Sequence, residues 1–414
     1  MALLQPVRGT HDLLPDQTRA HRFVSKVARA AASRYGFDEM STPIFEFSQV
    51  FQRTLGDTSD IVTKEMYTFT DKGGDEVTLR PENTAGIARC FISEGLAHSA
   101  PFKVFYSGPM FRYERPQKGR LRQFHQIGVE LIGVAQPQAD IEVIACGARI
   151  LDDLGVLSDT VLELNTLGDT ASRTAYRAAL VTYFSDHLDA LSPESRDRLT
   201  RNPLRILDSK NQADREVVAN APLFADYLNA ESSDFFTAVT AGLEALDIAF
   251  TLNARLVRGL DYYCHTAFEF TTDALGAQGA LIAGGRYDGL IGMMGGRETP
   301  GVGWAGGIER LAMLRGDPPL PPRPVGVVPI GKAALRAAQS LTEQLRRDGY
   351  RIDIGYGGNL SRRMKRANKI NASAVVILGE DELARQAATV RHMDTGEQEE
   401  VALAALSDYL ARYR

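Results

Sequence analysis

Between Phe105 and Glu130 the chain reads FYSGPMFRYERPQKGRLRQFHQIGVE, and five cations with one acid fall between Arg112 and Arg122. Two extended segments joined by a loop carrying Arg115, Lys118, Arg120 and Arg122 predict an antiparallel hairpin. Side chains alternate along a strand, so Phe124, Gln126, Gly128 and Glu130 share one face of the returning segment. His125, Ile127, Val129 and Leu131 share the other, where His125 reads as a core histidine. The outgoing segment puts Met110, Arg112 and Glu114 on one side. Arginine forks grip phosphate through two bonds, and a flat ring such as Phe124 suits a nucleobase. The pattern points to an anionic ligand with donors of its own, bound over a floor that Gly128 leaves open. A run of merely solvated charge would scatter its acids rather than place Glu114 and Glu130 in register with arginines.

Three further stretches carry chemistry. In TLRPENTAG, a short extended segment from Glu76 to Arg80 leads to a helix that Thr84 opens, and Glu82 is favourable beside its N-terminus. RGLDYY places Arg258 before Tyr262 and Tyr263, and ALIAGGRYDGL follows, with Gly284 and Gly285 expected to let the backbone approach a ligand closely. Gly301, Gly303 and Gly306 of GVGWAGGIERLAML formally match GxGxxG, but GGRETP precedes them and the position for a ribose-binding acid lies beyond a proline run. A glycine-rich strand turning into a helix that presents Glu309 and Arg310 fits better. With no GxxxxGK[ST] in the chain, an ATP site has to be assembled from arginines.

The elements that must carry these residues are legible from periodicity. Asp16 to Tyr35 is predicted as a helix, followed by the extended FDEMSTPIFE; Asp140 to Leu154 is a helix and Val161 to Leu164 a strand. About 170–246 is Ala-rich, charged and broken by prolines, as expected of a helical insertion. PPLPPRP, residues 318–324, is a stiff linker. Beyond it, Val325–Ile330, Arg351–Ile354 and Ala374–Leu378 are short apolar strands separated by helical stretches, which implies parallel β-α-β units. A basic helix from Leu360 to Ile370 carries Arg362, Arg363, Lys365 and Arg366.

The chain's 414 residues, 44% of them hydrophobic, with net charge −5, describe an ordinary globular protein whose contacts with nucleic acid must be local. Three distant cysteines argue against a disulfide framework or zinc cage, and no signal-peptide or membrane-spanning run is present, so a cytoplasmic location is expected.

FRYERPQKGRLRQFHQIGVE resembles motif 2 of class II aminoacyl-tRNA synthetases in the form found in histidyl-tRNA synthetases. The long helix and proline-containing strand near the N-terminus resemble motif 1, GVGWAGGIERLAML resembles motif 3, and RGLDYY with GGRYDGL resembles the two blocks peculiar to the histidine enzymes. The resemblance implies an α+β catalytic domain over 1–317, an antiparallel sheet with flanking helices and a helical insertion, and an α/β anticodon-binding domain over 325–414. It implies that Arg112 and Arg258 hold the α-phosphate of ATP, with Arg258 standing where other class II enzymes use a metal. Arg120 and Arg310 would hold the distal phosphates, Glu114 the adenine amino group and Phe124 its face. Glu82, Thr84 and Gln126 would position the ends of L-histidine, while Glu130, Tyr262 and Tyr263, with Tyr287 near, would surround its imidazole. Arg115 and Gln117, and the basic helix in the last domain, would meet tRNA(His). A homodimer and Mg2+ carried by ATP, with no protein ligands assigned, complete the expectation. The alternative is the histidine-binding regulatory subunit of ATP phosphoribosyltransferase, which typically lacks the anticodon domain and intact arginine set found here. Small departures from the family pattern are Asn83, where glycine is often found, and Cys264 with His265 after the tyrosines.

Overall fold

The computed structural model describes residues 3–55, 61–117, 119–207, 209, 211–257, 262–276 and 279–413. Lys118 and Arg258, both singled out above, lie outside the described residues. The chain divides into two compact units, Met1–Pro318 and Pro319–Arg414.

The first unit contains β1 (Asp38–Glu39), β2 (Phe45–Phe47), β3 (Tyr67–Thr70), β4 (Glu76–Leu79), β5 (Phe102–Phe111) and β6 (Gln123–Ile132). It continues with β7 (Val161–Thr166), β8 (Thr251–Leu252), β9 (Cys264–Thr271), β10 (Ala280–Arg286) and β11 (Gly301–Gly307). Among the described residues eight of these form one sheet in the order β1-β5-β6-β11-β10-β9-β7-β8, and β2-β4-β3 form a small second sheet. The large sheet is antiparallel except at its edges, where β1 runs parallel to β5 and β8 to β7.

Period-two alternation gives the sheet two different faces. Phe105, Ile127, Val129, Leu131, Phe268 and Trp304 enter a core with the helices Pro15–Arg34, Gln138–Asp153, Ala230–Ala245 and Ile308–Arg315. Val104, Tyr106 and Met110 point to the other side, into a tyrosine-rich cluster with Tyr262, Tyr263, Tyr287 and the helix Thr84–Ser93. The site lies on this second face, beside the start of the helix Thr84–Ser93. Beside it, Arg286 is fully buried and held by Asp140 and Asp288, fixing the end of β10. The helices Thr170–Asp186, Pro193–Arg201 and Gln212–Ala219 pack a separate core around Tyr176, Phe184 and Phe224. Asp169, Ser192 and Asn211 cap them, each side chain accepting from a first-turn N–H.

The second unit contains β12 (Val325–Pro329), β13 (Ile352–Ile354), β14 (Ala374–Leu378), β15 (Ala387–His392) and β16 (Gln398–Ala402), in the order β13-β12-β14-β15-β16. β12 is parallel to both β13 and β14, as continuous apolar runs require when helices cover both faces.

Candidate active site

β6 and β11 lie side by side with Glu130 opposite Gly303, and a Cβ at Gly303 would collide with the Glu130 carboxylate. One at Gly301 would collide with the Tyr287 ring. The glycines that mimic a dinucleotide fingerprint are therefore spaces filled by neighbours' side chains. Glu130 is 1% exposed, and its oxygens accept from Thr84 Oγ1 at 2.8 Å and the Tyr287 hydroxyl at 2.5 Å. Burial pushes its pKa up to about 8 against the pull of those two bonds, and the charge of Glu82 adds to the rise. Glu82 accepts from the backbone N–H groups of Thr84 at 2.6 Å and Ala85 at 3.0 Å, at the start of the helix Thr84–Ser93. Burial raises its pKa as well, while those N–H groups lower it. Tyr262 packs on Tyr263 with ring centroids 4.6 Å apart and meets Tyr287 edge-on at 5.9 Å.

Arginines converge at the other end. Arg112 Nε donates to the Pro81 carbonyl at 2.9 Å, its guanidinium lies 5.2 Å from the Phe124 ring centroid, and one nitrogen is 3.9 Å from Glu114. Arg120 Nε is 2.7 Å from the other Glu114 oxygen, an ion pair. Arg310 donates to the Ala280 carbonyl at 2.7 Å and the Gly119 carbonyl at 3.3 Å. Burial lowers its pKa, and the nearby charges of Arg120 and Arg112 lower it further while Glu114 opposes them. A cavity of about 210 Å³ joins both ends, lined by Glu82, Thr84, Gln126, Tyr262 and Tyr263 and by Arg112, Glu114, Arg120, Phe124 and Arg310. Gln126 Oε1 is buried there without a partner among the described residues.

Arg115 and Gln117 are exposed in the hairpin loop. Gln117 and Arg120 close that loop by reciprocal backbone bonds of 3.0 and 2.9 Å, around Gly119 at φ +74°. In the second unit, Asn359 caps the helix Leu360–Lys369. Arg366 is paired with Asp353 at 2.8 and 2.7 Å and Arg363 donates to the Pro329 carbonyl, so part of that helix's charge is spent within the unit.

Several expectations need correction. The floor at Gly128 is not open, because the Tyr106 phenol occupies the place a side chain there would take. Gly284 and Gly285 serve strand packing rather than ligand approach: side chains there would meet Gly303 and Trp304, and Thr266 and Tyr263. β5 ends at Phe111, so Arg112 and Glu114 are placed by the loop and not by strand alternation. His125 is half-buried and bound by Glu309, which accepts from its backbone N–H at 2.9 and 3.0 Å and lies 2.9 Å from its Nδ1.

Sequence reasoning also passed over Arg80 and Tyr106. Arg80 is buried and donates to the Thr42 carbonyl, Thr42 Oγ1, Asn83 Oδ1 and the Pro109 carbonyl, bracing the turn that presents Glu82. The Asn83 departure thus has a job in that network. Tyr106 could have been found by pairing β5 with β6, since it falls opposite Gly128.

The geometry finds its likeness in known proteins. Residues 9–311 match the family model described as histidyl-tRNA synthetase, and residues 324–413 match an anticodon binding domain. The histidine--tRNA ligase of Rhodospirillum rubrum is 62% identical over the whole of both chains. That of Gluconacetobacter diazotrophicus is 56% identical over 99% of each. The apo S. aureus histidyl-tRNA synthetase structure superposes with TM-score 0.83 at 35% identity, covering 98% of this chain and 99% of that one. With a catalytic-family match spanning most of its length and near full-length relatives well above half identical, this chain belongs to the histidyl-tRNA synthetase family.

Proposed function

We propose that the chain activates L-histidine with ATP and transfers it to the 3′ end of tRNA(His). The histidine carboxylate attacks the α-phosphorus, the bond to the β-phosphate oxygen breaks, and histidyl-adenylate and pyrophosphate form. A terminal ribose hydroxyl of tRNA then attacks the acyl carbon and AMP leaves. Little covalent work falls to the protein, whose task is positioning and charge neutralisation. The observation that carries this reading is one cavity joining a tyrosine- and carboxylate-lined end to three arginines.

In this reading Arg112 takes the α-phosphate, together with Arg258; Arg120 and Arg310 take the distal phosphates, and Phe124 the adenine face. Glu114 binds the adenine amino group through an oxygen now shared with Arg120, so ATP binding exchanges one partner for another. Glu82, Thr84 and Gln126 hold the ends of histidine, a role supported by the unpartnered Gln126 oxygen. Glu130 and Tyr263, with Tyr262 and Tyr287 beside them, read the imidazole; each Glu130 oxygen retains a second lone pair. A polar site of this kind rejects analogues that lack the hydrogen-bonding group by about 10⁴-fold, which dispenses with editing. Mg2+ accompanies ATP and pyrophosphate.

The working state is a homodimer in the cytoplasm. Dimerisation is supported by exposed Phe45, Phe47 and Phe69, which share a face of the small sheet across Val77 and Leu79. Arg115, Gln117 and the helix Leu360–Lys369 meet tRNA. Among the described residues no helix is long and apolar enough to cross a membrane.

Histidine-dependent exchange of labelled pyrophosphate into ATP, without tRNA and across a panel of amino acids, tests this directly. Exchange with histidine alone is expected. Histidine binding without exchange would favour the regulatory reading instead.

A further inference from the structure

On the helix-covered face of the sheet, His21 of the helix Pro15–Arg34, His125 of β6 and Glu309 of the helix Ile308–Arg315 come together. Each offers a ligand atom, and these atoms lie within 4.8 Å of one another. The two imidazoles meet edge to face with centroids 5.3 Å apart. Glu309 braces His125 at both its backbone N–H and its ring Nδ1. By contrast, His21 Nδ1 is buried and has no hydrogen-bond partner among the described residues. A buried ring nitrogen left unmatched beside a carboxylate-braced imidazole calls for an explanation that packing alone does not supply.

We infer that His21, His125 and Glu309 form a binding site for a divalent cation of the zinc class. Two imidazoles and a carboxylate are the donor set that Zn2+ takes, with a further position left for water. An adjoining cavity of about 540 Å³, lined by His11, Asp16, His21 and Glu309, provides a route of entry and additional oxygen and nitrogen donors. A bound cation would cross-link three elements distant in sequence: the N-terminal helix, the strand that carries Gln126, and the helix that carries Arg310. It would therefore clamp the nucleotide site, whose cavity wall Glu309 itself helps to form.

The test uses the full-length protein stripped of metal. Co2+ titration, followed by visible absorption, should give one saturable site per chain with tetrahedral or five-coordinate bands, and Zn2+ should displace the Co2+ and raise Tm. His21→Phe keeps an aromatic ring against His125 but removes the nitrogens. It should weaken Co2+ binding by more than about 10-fold and abolish the zinc-dependent rise in Tm, with zinc-free, Mg2+-supported pyrophosphate exchange at the wild-type level. His21→Gln serves the same purpose if the phenylalanine variant does not fold. Equal Co2+ affinity in wild type and variant would place the metal elsewhere and overturn the inference. So would no binding by the wild type at a roughly tenfold excess of metal over protein, for then the cluster is only a hydrogen-bonded brace.

Discussion

At one end of the cleft Glu82 lines the wall and Glu130 is bound to the lining residue Thr84; they are 5% and 1% exposed, and their oxygens accept from a threonine, a tyrosine and two backbone N–H groups. At the other, the side chains of Arg112 and Arg120 are 23% and 42% exposed, and Glu114 stands against them while Glu114 and Glu269 both act on Arg310. The two carboxylates of the first end are held by donors the protein supplies before any ligand arrives, while Gln126 Oε1 keeps an acceptor open. The second is held in place largely by carbonyls, which orient arginines without cancelling their charge. A preorganised field of that kind is what a developing charge on phosphorus needs. One end therefore selects by hydrogen-bond pattern, and the other gains its stabilisation from the substrate's own charge.

Single substitutions should separate the two ends. The largest effect is expected for Arg112→Ala, which should lower kcat for pyrophosphate exchange by about 10²–10³-fold, the usual cost of one transition-state donor. Histidine KM should move much less, and equal losses in both would erase the proposed division. Next, Glu130→Ala orphans the buried Thr84 and Tyr287 hydroxyls, costing about 1–3 kcal/mol in stability by urea titration. Histidine KM should rise about 10–100-fold on the same energetic scale, with the KM for ATP nearly unchanged.

A smaller contrast should come from salt. Raising ionic strength from about 0.1 to 1 M shortens the screening length from about 10 to 3 Å, so ATP KM should rise more than histidine KM. If histidine KM rose as much, the buried end would have to be solvated. The smallest signal is in the pH dependence of stability. The Glu130 pKa rises from its usual 4.5 to about 8 on folding. Its contribution to stability is therefore complete below 4.5 and is lost as pH climbs through about 8. Thermal melts should show that Glu130→Gln lessens the fall in stability over this window, and an unchanged slope would mean that another group carries it.

Reading the sequence went furthest where local chemistry and local geometry coincide. The FRYERPQKGRLRQFHQ hairpin announces itself because period-two alternation and turn residues are visible within about two dozen positions. It misled where glycines were concerned. Gly128, Gly284 and Gly285 look like room for a ligand, yet each makes room for a side chain or backbone on the neighbouring strand. Nothing in a single sequence says which strand lies alongside.

By itself, then, the chain determined the alternating faces of β5 and β6, the helix opened at Thr84, the basic loop and the three parallel strands of the second unit. These follow from interactions between residues a few positions apart, or from periodicities every strand and helix must obey. Tertiary structure alone decided that Glu130 would be buried against Gly303 and bound by Tyr287, that Arg80 would brace the turn before Thr84, and that His21 would meet His125 and Glu309. Those juxtapositions join residues up to hundreds of positions apart. They are set by strand order and by the close packing of a core, where the space one residue leaves is taken by whichever partner the topology delivers.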